Sequence, residues 1–301
     1  MRSIQHKKEA YWFYRFVSPL YDRWVNPLFW TPRLRGEALE LARLDEPGLR
    51  TLDVGAGTGF STEGIVEHVV PEQVTMLDQS PDQLGRARRK PALTGCAKLL
   101  GDAERLPFEN DSFDRYVSCG SIEYWPDPAR AIAEAHRVVR PGGTALVVGP
   151  LPPKRRLARL LADTWMLFPT EAEYRRWFEA AGFADIEVRR FGAPWTGDSH
   201  GAGYGVAIAG RSTEQGPPAA ASAPSEQVDE PWTARRVLRF GAGALAGLAF
   251  VPVGILLNAR ARWAGGARGR RAGNERARGR RAGSERARPA EGGRSRRATD
   301  H

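Results

Sequence analysis

Arg50-Thr-Leu-Asp-Val-Gly-Ala-Gly-Thr-Gly-Phe-Ser61 is the stretch that decides how this chain folds. A short apolar run ends at Asp53, glycines follow at 55, 57 and 59, and a helical pattern starts straight after. That order predicts a strand turning tightly into a helix, with bare backbone where side chains would block a ligand. A dinucleotide-binding turn spaces its glycines G-x-G-x-x-G and seats a pyrophosphate there. Here the third glycine comes one residue early and an acid precedes the first, so the loop suits a ligand whose tail is cationic or neutral. Asp53, Gly55, Gly57 and Gly59 are therefore the first candidate binding residues. Taken alone, the motif also fits an ordinary glycine-rich turn.

Three features downstream narrow the choice. Val74-Thr-Met-Leu-Asp78 predicts a second strand ending in an acid, roughly 20 residues past the glycines, where a carboxylate can accept ribose hydroxyls; Gln79 follows it. Lys98 to Ala103 predicts a third short strand, and its Gly-Asp-Ala ending puts Asp102 and Ala103 beside a nucleobase. Asp114 to Gly120 predicts a fourth, whose end at Ser118 faces the place where chemistry should occur. Arg140-Pro-Gly-Gly143 then stops a helix before another strand, 144–149. The strands alternate with helical stretches, which predicts an α/β fold with a doubly wound, mostly parallel sheet. S-adenosylmethionine, a nucleoside with a sulfonium tail, matches both the loop and the acids.

Several longer clusters carry a family likeness. They are Ile4-Gln-His-Lys-Lys-Glu-Ala10, Trp12-Phe-Tyr-Arg-Phe16, Leu77-Asp-Gln-Ser-Pro81 and Asp114-Arg-Tyr-Val-Ser118. Gly120-Ser-Ile-Glu-Tyr-Trp-Pro-Asp-Pro128 and Trp165-Met-Leu-Phe-Pro169 are the most specific of them. With these residues the chain resembles the class I S-adenosylmethionine-dependent methyltransferases, and within them the plant-type 2-methyl-6-phytyl-1,4-benzoquinone methyltransferases of tocopherol and plastoquinone synthesis. The likeness spans residues 4 to about 210. It implies a seven-stranded Rossmann-like sheet, closed by an antiparallel pair at 185–191 and 204–209, and a lipophilic quinol as acceptor. The segment after Trp195 and the Arg-rich C-terminal tail depart from the family, which leaves substrate identity less constrained than the reaction class.

Organisation follows from composition. The chain has 301 residues and a net charge of +10. From Asn258 onward there are 14 Arg against 4 acids, so the whole excess sits in the tail and residues 1–257 are neutral. Five regions are expected: an aromatic-rich lead at 1–33, a methyltransferase domain at 34–210, a Pro/Ala/Ser linker at 211–233, an apolar segment at 234–260 and a disordered tail at 261–301. The tail repeats itself, Arg268 to Ala277 recurring at Arg278 to Ala287, with no aromatic residues interleaved to support nucleic-acid binding. The two cysteines, Cys96 and Cys119, have neither disulfide-framework nor metal-ligand spacing, and no metal is expected.

Phe240 to Leu257 is 18 residues without a charge, at the lower limit for a membrane-spanning helix. Arginines flank both ends, and Pro252 with Gly241, Gly243 and Gly247 also permits a bent, re-entrant insertion, so membrane lipid is an expected partner of this stretch and of the basic tail. The lead packs nine aromatic residues into Tyr11–Trp30, suited to a lipid interface or to a lid helix at the mouth of a site. With an Arg/Ala/Gly-rich composition and no targeting segment at its start, the chain is expected to be a bacterial, membrane-associated enzyme with its catalytic domain facing the cytoplasm.

Methyl transfer from a sulfonium makes its demand at the acceptor, because the leaving group is a neutral thioether. An aromatic carbon becomes nucleophilic when an ortho or para hydroxyl loses its proton, so a base is sought. Glu123, among Ile122, Tyr124 and Trp125, is the first candidate, and Tyr124 the second. Glu123 could equally bind the methionine amino group or cap the helix starting at Asp127-Pro128. His6, Tyr21 and Asp22 are further bases, and His136 is expected to be a packing residue. Two other functions share the pattern: methylation of another lipophilic acceptor, such as a demethylmenaquinol-like quinol or a sterol, and a non-catalytic membrane-tethered binding protein.

Overall fold

The computed structural model describes residues 30–153, 156, 159, 167–192, 203–213, 238, 241, 245 and 256. Most of the aromatic lead, most of the linker, most of the apolar stretch and the basic tail lie outside the described residues; the first linker residues, Arg211 and Ser212, belong instead to the last strand. Seven strands form one sheet: β1 (Thr51–Val54), β2 (Val74–Asp78), β3 (Ala97–Leu100), β4 (Phe113–Cys119), β5 (Val139–Pro150), β6 (Phe183–Phe191) and β7 (Gly205–Ser212). Their spatial order is β3-β2-β1-β4-β5-β7-β6. The first five run parallel, and β7 lies antiparallel between β5 and β6. The chain winds outward from β1 to β3, returns to β4 on the other side of β1, and so opens a crevice at the carboxyl ends of β1 and β4.

Among the described residues five α-helices flank the sheet: α1 (Pro32–Leu39), α2 (Phe60–Ile65), α3 (Pro81–Ala87), α4 (Pro128–Val138) and α5 (Glu171–Ala181). Local chemistry sets their ends. Thr31, Ser80 and Asp127 each accept a backbone N–H of the first turn that follows, and Pro comes next after each. Thr170 and Glu173 form a reciprocal capping box, and Gly182 ends α5 in the left-handed region at φ 99°. One apolar layer, including Ala38, Ile65, Met76 and Val117, covers one face of the sheet; Leu52, Tyr116, Ile132, Tyr174 and Phe178 fill the other. Every residue of β1 is buried, as befits a central parallel strand covered on both faces.

The opposite ends of the strands are tied by charge. Arg115 is 2% exposed and donates through Nε to the Arg43 carbonyl at 2.9 Å, while its Nη2 meets Glu46 at 2.8 Å. Asp114 takes the Arg50 N–H at 2.7 Å and pairs with the Arg140 guanidinium. These contacts hold the floor of the sheet rigid beneath the crevice.

Several element boundaries differ from the sequence reading, β6 among them, which begins at Phe183 rather than 185. Pairing of β5 begins at Val139 rather than Thr144, with a register shift opposite Phe113 and Arg115 that Gly142, at φ 82°, accommodates. β7 runs to Ser212, three residues past the end expected at 209, because Ser212 is fully buried and pairs with Phe183. His136 stands edge-on to Phe183 with ring centroids 4.8 Å apart and faces Ser212 at 3.5 Å, a packing role as expected. Among the described residues no helix is long and apolar enough to cross a membrane. The expected membrane segment falls outside them, apart from Leu238, Gly241, Leu245 and Leu256.

Candidate active site

A cavity of about 440 Å³ opens at the carboxyl ends of β1, β2, β3 and β4. Of the residues picked from sequence, Gly55, Gly57, Asp78, Gln79, Asp102, Ala103 and Tyr124 line it. Asp53, Gly59, Ser118 and Glu123 are not on its wall.

The loop after β1 is drawn against β2. The N–H groups of Gly55 and Ala56 both donate to the Leu77 carbonyl, at 2.8 and 3.2 Å. Gly55 and Gly57 sit at φ 69° and 55°, the left-handed region that L-residues avoid. A Cβ on Gly55 would overlap the Ser121 side chain, whereas one on Gly57 would meet nothing closer than the Gly55 carbonyl at 4.0 Å. The first glycine thus lets β1 and the segment after β4 approach, and the second leaves the cavity free. Gly59, at φ 86°, precedes α2, and a Cβ there would overlap Leu93, so its role is in the turn and the core.

Asp53 lies fully buried beneath the loop. Its Oδ2 accepts the Ser61 and Thr62 hydroxyls at 2.7 and 2.6 Å, and its Oδ1 has no partner. Burial outweighs those bonds and lifts the carboxyl to about 6. It pins the first turn of α2 to β1 rather than facing a ligand. Asp78, one strand over, accepts the Gly57 N–H on Oδ2 and the Ser80 N–H on Oδ1, both at 2.8 Å. Burial raises it as well, against those two bonds and a third from the Gln79 N–H. Three N–H donors leave an acceptor position on the carboxylate for a ligand in the cavity that Asp78 lines.

Glu123 sits in a one-turn 3₁₀ helix, Ile122–Tyr124. It is 7% exposed, its Oε2 has no partner, and burial lifts its carboxyl to about 7. Its carbonyl accepts the Leu167 N–H at 3.1 Å. It does not cap α4; Asp127 does, by accepting from Arg130 at 3.1 Å. Tyr124, the next residue, takes the cavity side. Ser118 is fully buried and reaches the cavity only through Ser121.

Sequence reasoning passed over Thr58, Gln83 and Glu104 on the cavity wall, while Trp30, Cys119, Ser121 and Trp125 fell in or beside stretches it had pointed to without naming them as binding residues. Cys119 is held well above the usual thiol range by burial. Gln83 and Ser121 were within reach of sequence, since each lies one short step past a recognised strand end. Glu104 was not, because its place depends on the long-range bond by which it accepts the Asp127 N–H at 2.8 Å. A glycine loop with open space beside Gly57, an acid on the cavity wall at the end of β2 and a second acid after β3 fit an adenosyl ligand.

Sheet order, crevice and cavity together define a methyltransferase of the S-adenosylmethionine-dependent class. A family model described as a methyltransferase domain matches residues 52–147. The chain is 49% identical over 260 residues to 2-methyl-6-phytyl-1,4-hydroquinone methyltransferase 1, chloroplastic, of Oryza sativa subsp. japonica, covering 85% of this chain and 79% of that one. It is 48% identical over 263 residues to the Arabidopsis thaliana enzyme of the same name, covering 85% and 77%. Among solved structures, an S-adenosylmethionine-dependent methyltransferase of Thermotoga maritima, described as a possible histamine N-methyltransferase, superposes with a TM-score of 0.52 at 25% identity, covering 68% of this chain and 100% of that one. The chain belongs to the 2-methyl-6-phytyl-1,4-hydroquinone methyltransferase family.

These relatives overturn the bacterial, cytoplasm-facing placement expected from composition, for they are plant enzymes named as chloroplastic. Arg, Ala and Gly content reflects how a coding sequence is composed and carries no physical information about compartment.

Proposed function

We propose that this chain transfers a methyl group from S-adenosylmethionine to a ring carbon of a prenylated or phytylated benzoquinol. The observation that carries the reading is the near 50% identity to enzymes named for that reaction, over a chain whose cavity fits the donor. When bound, S-adenosylmethionine supplies a methyl carbon: the ring carbon's electron pair bonds to it, the C–S pair stays on sulfur, and the ring proton then leaves.

What the protein adds is position and proton control. Asp78 is assigned to the ribose hydroxyls, Gly55 and Gly57 to the bare wall along the donor, and Asp102 with Ala103 and Gln79 to the base end. Asp53, Gly59 and Ser118 support this wall from behind. Glu123 and Tyr124 are assigned to the phenolic proton, Tyr124 from the cavity side and Glu123 from the buried side. Burial lifts the Glu123 carboxyl from 4.5 to about 7, which makes its ionised form a stronger base than an ordinary carboxylate. A lipid-dissolved acceptor also calls for contact with lipid, and we assign it to the uncharged stretch 240–257 and the arginines after it.

The test is methyl transfer from labelled donor to a 2-methyl-6-prenyl-benzoquinol in detergent, with the product mapped by mass spectrometry. A new methyl on a ring carbon is expected. Methylation on oxygen, or turnover confined to naphthoquinols or sterols, would remove the benzoquinol reading.

A further inference from the structure

The hydroxyl pair Ser118–Ser121 has a direction. Ser118 is fully buried, and its Oγ has one hydrogen-bond partner, Ser121 Oγ at 2.6 Å. A buried hydroxyl places its proton on an acceptor within reach, so Ser118 donates and Ser121 accepts. The proton of Ser121 is left with the Val54 carbonyl at 3.5 Å, the far limit of a hydrogen bond, or with whatever enters the cavity whose wall Ser121 forms. Ser121 cannot retreat, because its side chain already fills the space that a Cβ on Gly55 would take. Beside it, Gly120 at φ 69° lets the Trp30 indole lie so close that an added Cβ would come within 2.9 Å of the ring. A fixed, under-used O–H donor next to an aromatic wall suits an oxygen borne on an aromatic ring.

Resting on the methyltransferase reading above, we propose that Ser121 is a catalytic residue whose hydroxyl donates to the ring oxygen of the acceptor and stabilises the phenolate from which the ring carbon attacks. The phenolic proton goes to the base, the C–C bond forms as the C–S bond breaks with its pair on sulfur, and the ring proton leaves to solvent. Ser121 keeps its own proton throughout. Ser118 acts through it as a positioning residue, occupying the Ser121 lone pair so that the O–H faces the ligand.

The experiment compares wild type with Ser121→Ala, Ser121→Cys and Ser118→Ala for S-adenosylmethionine affinity by calorimetry and for kcat and KM on the prenyl-benzoquinol across pH. Removing one donor of this kind lowers kcat/KM for the quinol by about 10²-fold. Donor affinity should stay unchanged, and the acid limb of the pH profile should move up by about one unit. Ser121→Cys keeps the shape but donates weakly, so it should show the same pattern in smaller measure, and it carries the test where the alanine variant does not fold. Ser118→Ala should lose less than Ser121→Ala. A drop in S-adenosylmethionine affinity with turnover recovered at saturating donor would give Ser121 to the cofactor's own carboxylate and overturn the proposal. So would unaltered kinetics. Absence of quinol methylation by wild type would instead bring down the function itself, a result read without any variant.

Discussion

Asp78 Oδ2 accepts the backbone N–H of Gly57 at 2.8 Å, joining the acid that ends β2 to the middle glycine of the loop after β1. One carboxylate therefore shapes the loop and faces the cavity at once. The glycine spacing and the strand-end acid, separate features in sequence, are one device in space.

Asp78→Ala should weaken S-adenosylmethionine binding by on the order of 1.5–3 kcal/mol, since it removes charged hydrogen bonds to the ligand and frees the Gly57 and Ser80 N–H groups. Titration calorimetry on the folded variant checks this. Unchanged affinity would take Asp78 out of the site.

The two loop glycines should respond differently. Gly55→Ala collides with Ser121 and should lower the melting temperature as well as binding. Gly57→Ala meets open space, so its stability loss is limited to the left-handed backbone, about 1–2 kcal/mol, while its methyl intrudes on the ligand. Thermal melts with and without S-adenosylmethionine separate the effects. Equal destabilisation of both variants would contradict the geometry.

Glu123→Gln tests the buried carboxyl twice. As a base, its loss should lower turnover by ~10²–10⁴-fold with donor affinity intact. Its folded pKa, raised by burial to about 7 from 4.5, means the native state favours the protonated form. The stability it contributes is complete below about 4.5 and is lost as pH rises through 7. Unfolding free energies at acid and alkaline pH should therefore show Glu123→Gln gaining on wild type as pH rises, by on the order of 3 kcal/mol at most. A constant difference across pH would mean that the carboxyl is not held protonated.

Where the chain is cut should matter by a few residues. Ending it after Thr213 keeps all of β7, and this form should fold and bind S-adenosylmethionine. Ending it after Gly210 removes Ser212, which pairs with Phe183 and faces His136, and should lose stability. Vesicle co-sedimentation of the first form should also fall well below that of the full chain if lipid contact resides in 240–257. Undiminished sedimentation would assign that contact elsewhere.

Sequence by itself determined the strands, their parallel winding and the reaction class. These are local properties: the glycine loop, the acids at strand ends and the alternation of strand with helix are each written in a handful of adjacent residues. It also singled out Gly55, Gly57, Asp78, Gln79, Asp102, Ala103 and Tyr124, which line one cavity because a parallel sheet collects its carboxyl ends in one crevice. Which way a side chain turns at a strand end was not legible. Asp53 lies one residue before the end of β1 and Asp78 at the end of β2, yet Asp53 bonds under the loop to Ser61 and Thr62 while Asp78 stays at the cavity. Glu123 and Tyr124 are neighbours that part to opposite sides of one 3₁₀ turn. Only the tertiary structure decided those, along with the return of Trp30 onto Gly120 and of Ser121 onto Gly55. Each depends on contact between segments far apart in the chain, and no local pattern encodes where such segments meet.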